Sequence, residues 1–219
     1  KDSVRRIEAF YDDILRHDVR PLTLGGDHTL SLPILRAMAK KHGPLALLHI
    51  DAHADINSHM FGEEIAHGTP FRRAFEEELL DADQVFQIGL RGTGYTAEDF
   101  DWASERGFQV VQAEQLWHQS AAPLMDQIRR QIGARPVYLS FDIDSLDPAY
   151  APGTGTPEIG GLTSIQALEI IRGCRGLSLV GADLVEVSPP YDTNGNTALL
   201  AANLLFEMLC VLPGVAYRD

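Results

Sequence analysis

The sequence predicts an α/β fold of three layers, αβα, with a mostly parallel sheet covered by helices on both faces. Two observations carry this reading. Apolar, β-rich runs alternate with helical patterns along the whole chain of 219 residues, the arrangement that builds parallel sheets. The runs are also near-continuously apolar, as strands buried on both faces must be.

The elements follow in order. Val4, Ile7, Phe10, Tyr11 and Ile14 recur at helical spacing, predicting a helix over 4–17. A short strand is expected at 21–24, a helix at 30–41 and a fully apolar strand at 45–50. A helix at 71–80, a strand at 85–88, a helix at 97–106 and a strand at 109–112 come next. Then come a helix at 122–132, a strand at 137–141, a helix at 164–172 and a strand at 179–187. The stretch 198–212, apolar except for Asn203 and Glu207, reads as a buried helix within 197–212. Residues 147–162, dense in Pro and Gly, show no secondary-structure pattern; loops this long in compact proteins are often functional.

With no repeat or biased linker, one domain over 1–219 is expected. The chain starts at Lys1, already inside a helical pattern, so a preceding N-terminal segment is expected to be missing. The balance of 18 Lys+Arg against 31 Asp+Glu gives −13, which argues against binding to nucleic acid or an anionic membrane. Two cysteines without zinc spacing fit a reducing, cytoplasmic setting.

Three polar motifs each follow an apolar strand: Gly25-Gly26-Asp27-His28, Asp51-Ala52-His53-Ala54-Asp55 and Asp142-Ile143-Asp144. Ligands of open parallel sheets sit beyond the carboxyl ends of the strands. In extended backbone, residues two apart share a face, so Asp51, His53 and Asp55 are expected to point together, as are Asp142 and Asp144. Carboxylates so crowded must be protonated or neutralised by cations. Four aspartates balance two divalent ions, with His28 and His53 as neutral ligands. Six ligands fill two shells only if some carboxylates bridge, leaving room for a shared, acidified water. Carboxylate plus imidazole without thiolate favours Mn²⁺, with Zn²⁺, Co²⁺ or Ni²⁺ chemically tolerable. His17, His42, His59 and His118 read as surface or loop residues. His49 lies deeper in its strand and reads as a satisfied core histidine.

These segments, with residues 67–71 (HGTPF), 140–148 (SFDIDSLDP) and 151–162 (APGTGTPEIGGL), occur in the order of the ureohydrolase family of arginase, agmatinase and the guanidino-acid hydrolases, which the chain resembles over nearly its whole length. The resemblance implies an arginase-like fold. It implies one manganese held by His28, Asp51, Asp55 and Asp142 and another by Asp51, His53, Asp142 and Asp144, with Asp51 and Asp142 bridging. It implies hydrolysis of a linear guanidino compound to urea and an amine by a metal-bridging hydroxide. Asp55 then transfers the proton, His67 shuttles protons to solvent and Glu186 orients the guanidinium. Asp183 reads as structural. The form of several segments favours the guanidinobutyrase-like branch and 4-guanidinobutanoate as substrate, with agmatine the alternative. Asn57 is expected to donate to a substrate carboxylate and Met60 to line the spacer. Glu63 and Glu64 are expected to face solvent. A homotrimer or homohexamer is implied. Competing readings are a one-zinc, deacetylase-like amidohydrolase and a non-catalytic metal-binding or assembly protein.

Overall fold

In a computed structural model, which describes residues 2–94 and 101–216, the strands form one sheet ordered β1-β6-β5-β2-β3-β4. They are β1 (Leu22–Leu24), β2 (Leu45–Ile50), β3 (Leu80–Leu90), β4 (Gln109–Gln112), β5 (Pro136–Asp142) and β6 (Ser178–Val185). Every recorded pairing is parallel. The described α-helices are α1 (Asp2–Ile14), α2 (Ser31–His42), α3 (Pro70–Glu76), α4 (Ala122–Ile132), α5 (Ser164–Gly173) and α6 (Asn196–Val211).

The sheet divides two apolar cores by strict alternation. On β2, Leu45 and Leu47 enter the core shared with Tyr11, Leu35 and Phe71 from α1–α3. Ala46, Leu48 and Ile50 enter the opposite core with Ile128, Ile170 and Leu204 from α4–α6. Both faces being covered explains why β2 carries no exposed residue. His49 projects on the α1–α3 side, its ring 4.1 Å from that of Phe71.

Several boundaries differ from expectation, each for a local reason. The helix expected to reach residue 80 ends at Glu76, because Glu78 adopts φ 57° and Leu80 is already paired with Leu45. That pairing also lengthens β3 beyond the expected 85–88. Strand β6 stops at Val185 rather than 187, because Glu186 turns into the left-handed region at φ 64°. Of the helix expected at 97–106, residues 97–100 lie outside the described residues; Ser104–Arg106 forms a 3-10 turn. Residues 147–162 are free of helix, and at their base Leu146 and Leu162 form an isolated parallel bridge.

One expectation is corrected. Helix α6 is not a buried helix throughout: Ala201, Leu204, Met208 and Val211 are buried, but Leu199 and Phe206 are 64% and 63% exposed. Continuous hydropathy cannot report which side of a helix meets the sheet. Among the described residues no helix is long and apolar enough to cross a membrane.

Leu48→Ala removes a fully buried side chain from a doubly covered strand, and is expected to lower the unfolding free energy by about 2–5 kcal/mol. Leu199→Ala, at an exposed position, should change it by less than about 0.5 kcal/mol. Urea unfolding curves of the two variants check this difference.

Candidate metal centre

The three polar motifs meet beyond the carboxyl ends of β1, β2 and β5, but not through extended alternation as expected. Residues 51–55 are irregular, and Ile143–Ser145 forms a 3-10 turn capped by Asp142. Each leading aspartate instead closes a two-residue side-chain turn. Asp51 Oδ1 accepts the His53 main-chain N–H at 2.6 Å, and Asp142 Oδ1 accepts that of Asp144 at 2.8 Å. Asp and Asn favour such turns because their carbonyl oxygens reach the N–H two residues on. One oxygen of each carboxylate is thereby spent on the backbone. The other is aimed inward.

Both inward oxygens reach one nitrogen. His28 Nδ1 lies 3.1 Å from Asp51 Oδ2, 3.0 Å from Asp55 Oδ2 and 3.2 Å from Asp142 Oδ2. It is buried, yet forms a hydrogen bond of good geometry with none of them. A second group sits alongside, with His53 Nδ1 3.0 Å from Asp144 Oδ2 and 3.5 Å from Asp51 Oδ1. The donor atoms of Asp51, His53 and Asp144 lie within 4.8 Å of one another. Asp51 is thus common to both groups, and Asp142 faces the His28 group. Three carboxylate oxygens spread around one unbonded imidazole nitrogen make a shape suited to a cation bound between them. The residues therefore fit a divalent-metal centre.

The chain around this centre decides which imidazole nitrogens are open. Asp183, fully buried, accepts hydroxyl donors from Ser31 at 2.8 Å, Tyr138 at 2.8 Å and Ser140 at 2.7 Å. The Ser140 proton is committed to Asp183, so Ser140 Oγ must accept from His28 Nε2, 2.8 Å away. That fixes the His28 tautomer and leaves Nδ1 for the cluster. The structural reading of Asp183 stands, with a defined task.

His49 is settled in the same way. Gln87 Nε2 donates to the Ala54 carbonyl at 2.7 Å, which orients its amide. Nε2 also donates to His49 Nδ1 at 3.0 Å. His49 Nε2 then carries the proton and donates to Asp51 Oδ2 at 2.7 Å. Although its ring nitrogen lies among the clustered donor atoms, His49 has no lone pair to offer. It is the satisfied core histidine expected, and it orients Asp51. His17, His59 and His118 are exposed, and His42 is half-buried.

Electrostatics follow the crowding. Burial opposes charge on His28, but the Asp142, Asp51 and Asp55 carboxylates hold its pKa well above that of free imidazole. Burial likewise opposes charge on His53, yet Asp144 and Asp51 push its pKa up to about 12. Burial raises Asp142 well above the usual carboxylate range, with Asp144 and Asp51 adding repulsion. Burial, then Asp51, raises Asp144 in the same sense. Asp51 runs the other way: burial would raise it, but His49, His28 and His53 hold it well below the usual range.

A cavity of 530 Å³ opens onto the cluster, within the usual span for small-molecule sites. Its wall includes all the remaining expected site residues: Asp55, Asn57, Met60, His67 and Glu186. Glu186 accepts the His28 main-chain N–H at 2.7 Å, and burial raises its pKa. Asp55 and Glu186 both hold positive φ, 52° and 64°, a conformation that costs non-glycine residues energy and clusters at functional sites. Asn57 donates through Nδ2 to the Gly68 carbonyl at 2.9 Å, so part of its donor capacity is committed to the loop. Glu63 and Glu64 are exposed and absent from the wall, as expected.

Sequence reasoning missed Arg91, Thr156 and Glu158 on the wall. Glu158 Oε1 lies 3.8 Å from His53 Nε2, and Thr156 Oγ1 donates to Asp144 Oδ2 at 3.3 Å. The signal available was position: Arg91 follows the end of β3, and strand ends surround the ligand in such sheets.

Because their pKa values are raised, His28 and His53 hold protons at neutral pH when no metal is bound. A dication ligated by their Nδ1 atoms must displace those protons, so affinity should rise with pH. Adding Mn²⁺ to metal-free protein in weak buffer with an indicator dye at pH 7 is expected to release protons. Uptake, or no change, would contradict the site.

Comparison with known proteins agrees with this architecture. The pattern defining the "Arginase family" matches residues 1–210. The chain is 70% identical over 217 residues to a guanidinobutyrase of Pseudomonas aeruginosa, covering 99% of this chain and 68% of that protein. It is 61% identical over 214 residues to a mitochondrial agmatinase of Gallus gallus, covering 98% and 63%. In three dimensions it resembles the proclavaminate amidino hydrolase of Streptomyces clavuligerus, with a TM-score of 0.88 and 42% identity over 94% of this chain and 69% of that one. The chain therefore spans about two thirds of the length of the relatives it matches. With the family pattern matched over nearly all of its residues and its fold shared, the chain belongs to the arginase family.

Proposed function

We propose that this protein hydrolyses a linear guanidino compound to urea and an amine, using two Mn²⁺ ions held at the His28–Asp51–Asp55–Asp142 and Asp51–His53–Asp142–Asp144 groups. The observation that carries this reading is the unbonded, buried His28 Nδ1 among three carboxylate oxygens, two of them from Asp55 and Asp142, which line a cavity also walled by Glu186 and His67. A pair of dications bound there would acidify water and supply a nucleophile near neutral pH. The carboxylate-rich, thiolate-free donor set supports Mn²⁺ over softer-site metals.

The protein's own residues do the rest. A guanidinium carbon is a poor electrophile, since its charge is delocalised, so orientation matters. Glu186 offers a partly desolvated carboxylate whose pKa burial has raised; a guanidinium beside it restores the ion pair and fixes the reacting carbon over the cluster. Asp55 lines the same cavity at strained φ and would take the proton lost by water and deliver it to the departing amine. His67, half-buried on the wall, can pass protons between cavity and solvent.

The tail of the substrate is the finer question. The 70% identity to a guanidinobutyrase and the outward placement of Glu63 and Glu64 support 4-guanidinobutanoate, with Met60 along the spacer and Asn57 near the carboxylate. Glu158 on the wall favours a cationic tail, which keeps agmatine as the second reading. Self-association into trimers or hexamers fits the exposed apolar face of α6.

Urea release from 4-guanidinobutanoate, agmatine, guanidinopropionate and arginine, assayed with added Mn²⁺, tests this directly. The highest kcat/KM is expected with 4-guanidinobutanoate. Silence with all four substrates in protein shown to hold two ions would end the proposal for these compounds. Asp142→Ala should abolish turnover, whereas a non-catalytic assembly role would survive it. Elemental analysis should find two ions per chain, against one for a deacetylase-like site. Glu186→Gln breaks a partly desolvated ion pair at a cost of about 2–5 kcal/mol, so kcat/KM should fall by about 30-fold or more with the circular dichroism unchanged.

A further inference from the structure

Arg91 is half-buried at the end of β3 and borders the cavity. A guanidinium there invites the role of gripping a substrate carboxylate, but its donors are already spent. Nη1 donates to the Gly89 and Ser145 carbonyls, both at 3.1 Å. Nη2 donates to those of Asp144 at 2.8 Å, Leu146 at 3.3 Å and Glu158 at 2.7 Å. Nε donates to Glu158 and Ile159, both at 3.2 Å. Every hydrogen bond it makes to a described residue goes to a main-chain carbonyl. A guanidinium has five N–H groups in a rigid planar fork, and this one is saturated from three separate segments.

Those segments matter to the site. One is the end of β3. Another is the turn carrying Asp144. The third is the long loop at Glu158 and Ile159, which brings Thr156 to Asp144 Oδ2 and Glu158 towards His53 Nε2. The loop's base is fastened on its other side by Asp147, whose Oδ2 accepts the N–H groups of Gly160 and Gly161. Gly161 leaves the space Arg91 needs, since a Cβ there would collide with Nη2 and with the main chain at Leu146 and Asp147. The other half of the cluster relies on different supports: Ser140–Asp183 behind His28 and Gln87–His49 behind Asp51.

We propose that Arg91 is a positioning residue that locks the 147–162 loop onto the Asp144 turn, and thereby holds the His53–Asp144 half of the metal centre in its binding geometry. The proposal rests on the hydrolase reading above for its effect on turnover, but not for its effect on the loop. Loss of the fork frees the loop and splays Asp144 and His53, while the His28 half keeps its own braces. The two halves share Asp51, but the braces behind His28 do not reach the loop, and Arg91 supplies the support that only the His53–Asp144 half uses.

The test uses Arg91→Ala and Arg91→Lys in the intact protein, with three readouts: Mn²⁺ retained per chain after gel filtration, the rate of proteolytic cleavage within 147–162, and urea release. Arg91→Ala should retain one ion where the unaltered protein retains two. Its loop should be cut about tenfold faster or more, as expected when several charge-assisted hydrogen bonds are lost, and kcat should fall with it. Millimolar guanidinium chloride, supplying the missing fork, should slow cleavage and restore the second ion in Arg91→Ala only. Arg91→Lys keeps the charge without the planar fork and should stay defective in cleavage rate and metal retention. A residue that merely stabilised the fold would lower the melting temperature and leave metal stoichiometry unchanged. Retention of two ions with an unchanged cleavage rate in Arg91→Ala would overturn the proposal, as would an Arg91→Lys protein indistinguishable from the unaltered one. If Arg91→Ala is insoluble, Arg91→Lys alone decides by the same criteria. If the unaltered protein releases no urea, the hydrolase reading fails, while the cleavage rates still judge Arg91.

Discussion

Four aspartates brought into a buried space around two imidazoles are the constraint to which the rest of the structure answers. Burial alone raises Asp142 and Asp144 away from the charged state, and their neighbours add to it. Left to themselves such groups would take up protons or move apart. Here three of the four are tied: Asp51 to His49 and its own turn, Asp142 to the Asp144 N–H, Asp144 to Thr156 and the Ala52 N–H. Hydrogen bonds hold the carboxylates in place, and the protons on His28 and His53 offset part of their repulsion until a metal displaces them. The site is therefore preorganised for cations and strained without them.

The fold supplies this preorganisation through a parallel sheet whose strands all end at one edge. Strands β1, β2 and β5 deliver the charged motifs, and β6 delivers Glu186 just past its last paired residue. Behind the His and Asp cluster lie further fully buried polar groups: Ser31, His49, Gln87, Ser140 and Asp183. Polar groups cost several kcal/mol to bury unpaired, and apart from Gln87 Oε1 these are bonded in directional chains that end on the clustered His and Asp side chains. Each chain sets a proton position: Asp183 through Ser140 on His28, and Ala54 through Gln87 on His49. The tautomers of both histidines follow from the hydrogen-bond network rather than from their own chemistry.

Much of this is legible in the sequence alone. Strand order and the helix expected at 97–106 apart, the elements are readable because doubly buried strands are continuously apolar and most helices between them are not. The clustered Asp and His residues are readable because such residues are expensive to place directly after such strands. Less legible was the reason for the spacing of two in Asp51–His53 and Asp142–Asp144. Alternation along a strand and a side-chain turn predict the same pairing of residues, and only the backbone distinguishes them. Arg91 is not legible in the sequence because an arginine whose bonds to the described residues all go to carbonyls has no motif: partners such as Gly89, Asp144 and Glu158 are scattered over the chain and contribute backbone, not side chains. The outward face of α6 was misread because hydropathy records how apolar a helix is, not which side is covered.

What the sequence determined by itself was the inventory: an αβα sheet, an acidic cluster at its carboxyl edge and the family to which the cluster belongs. These are properties of residue type and order, and period and charge are written locally. What only the tertiary structure decided was direction. Which imidazole nitrogen is open, why His49 is a brace and not a ligand, and how Arg91 joins three segments all depend on atoms from residues distant in sequence meeting within about 3 Å. Hydrogen bonds are short-ranged and oriented, so no linear pattern encodes them until the chain has folded.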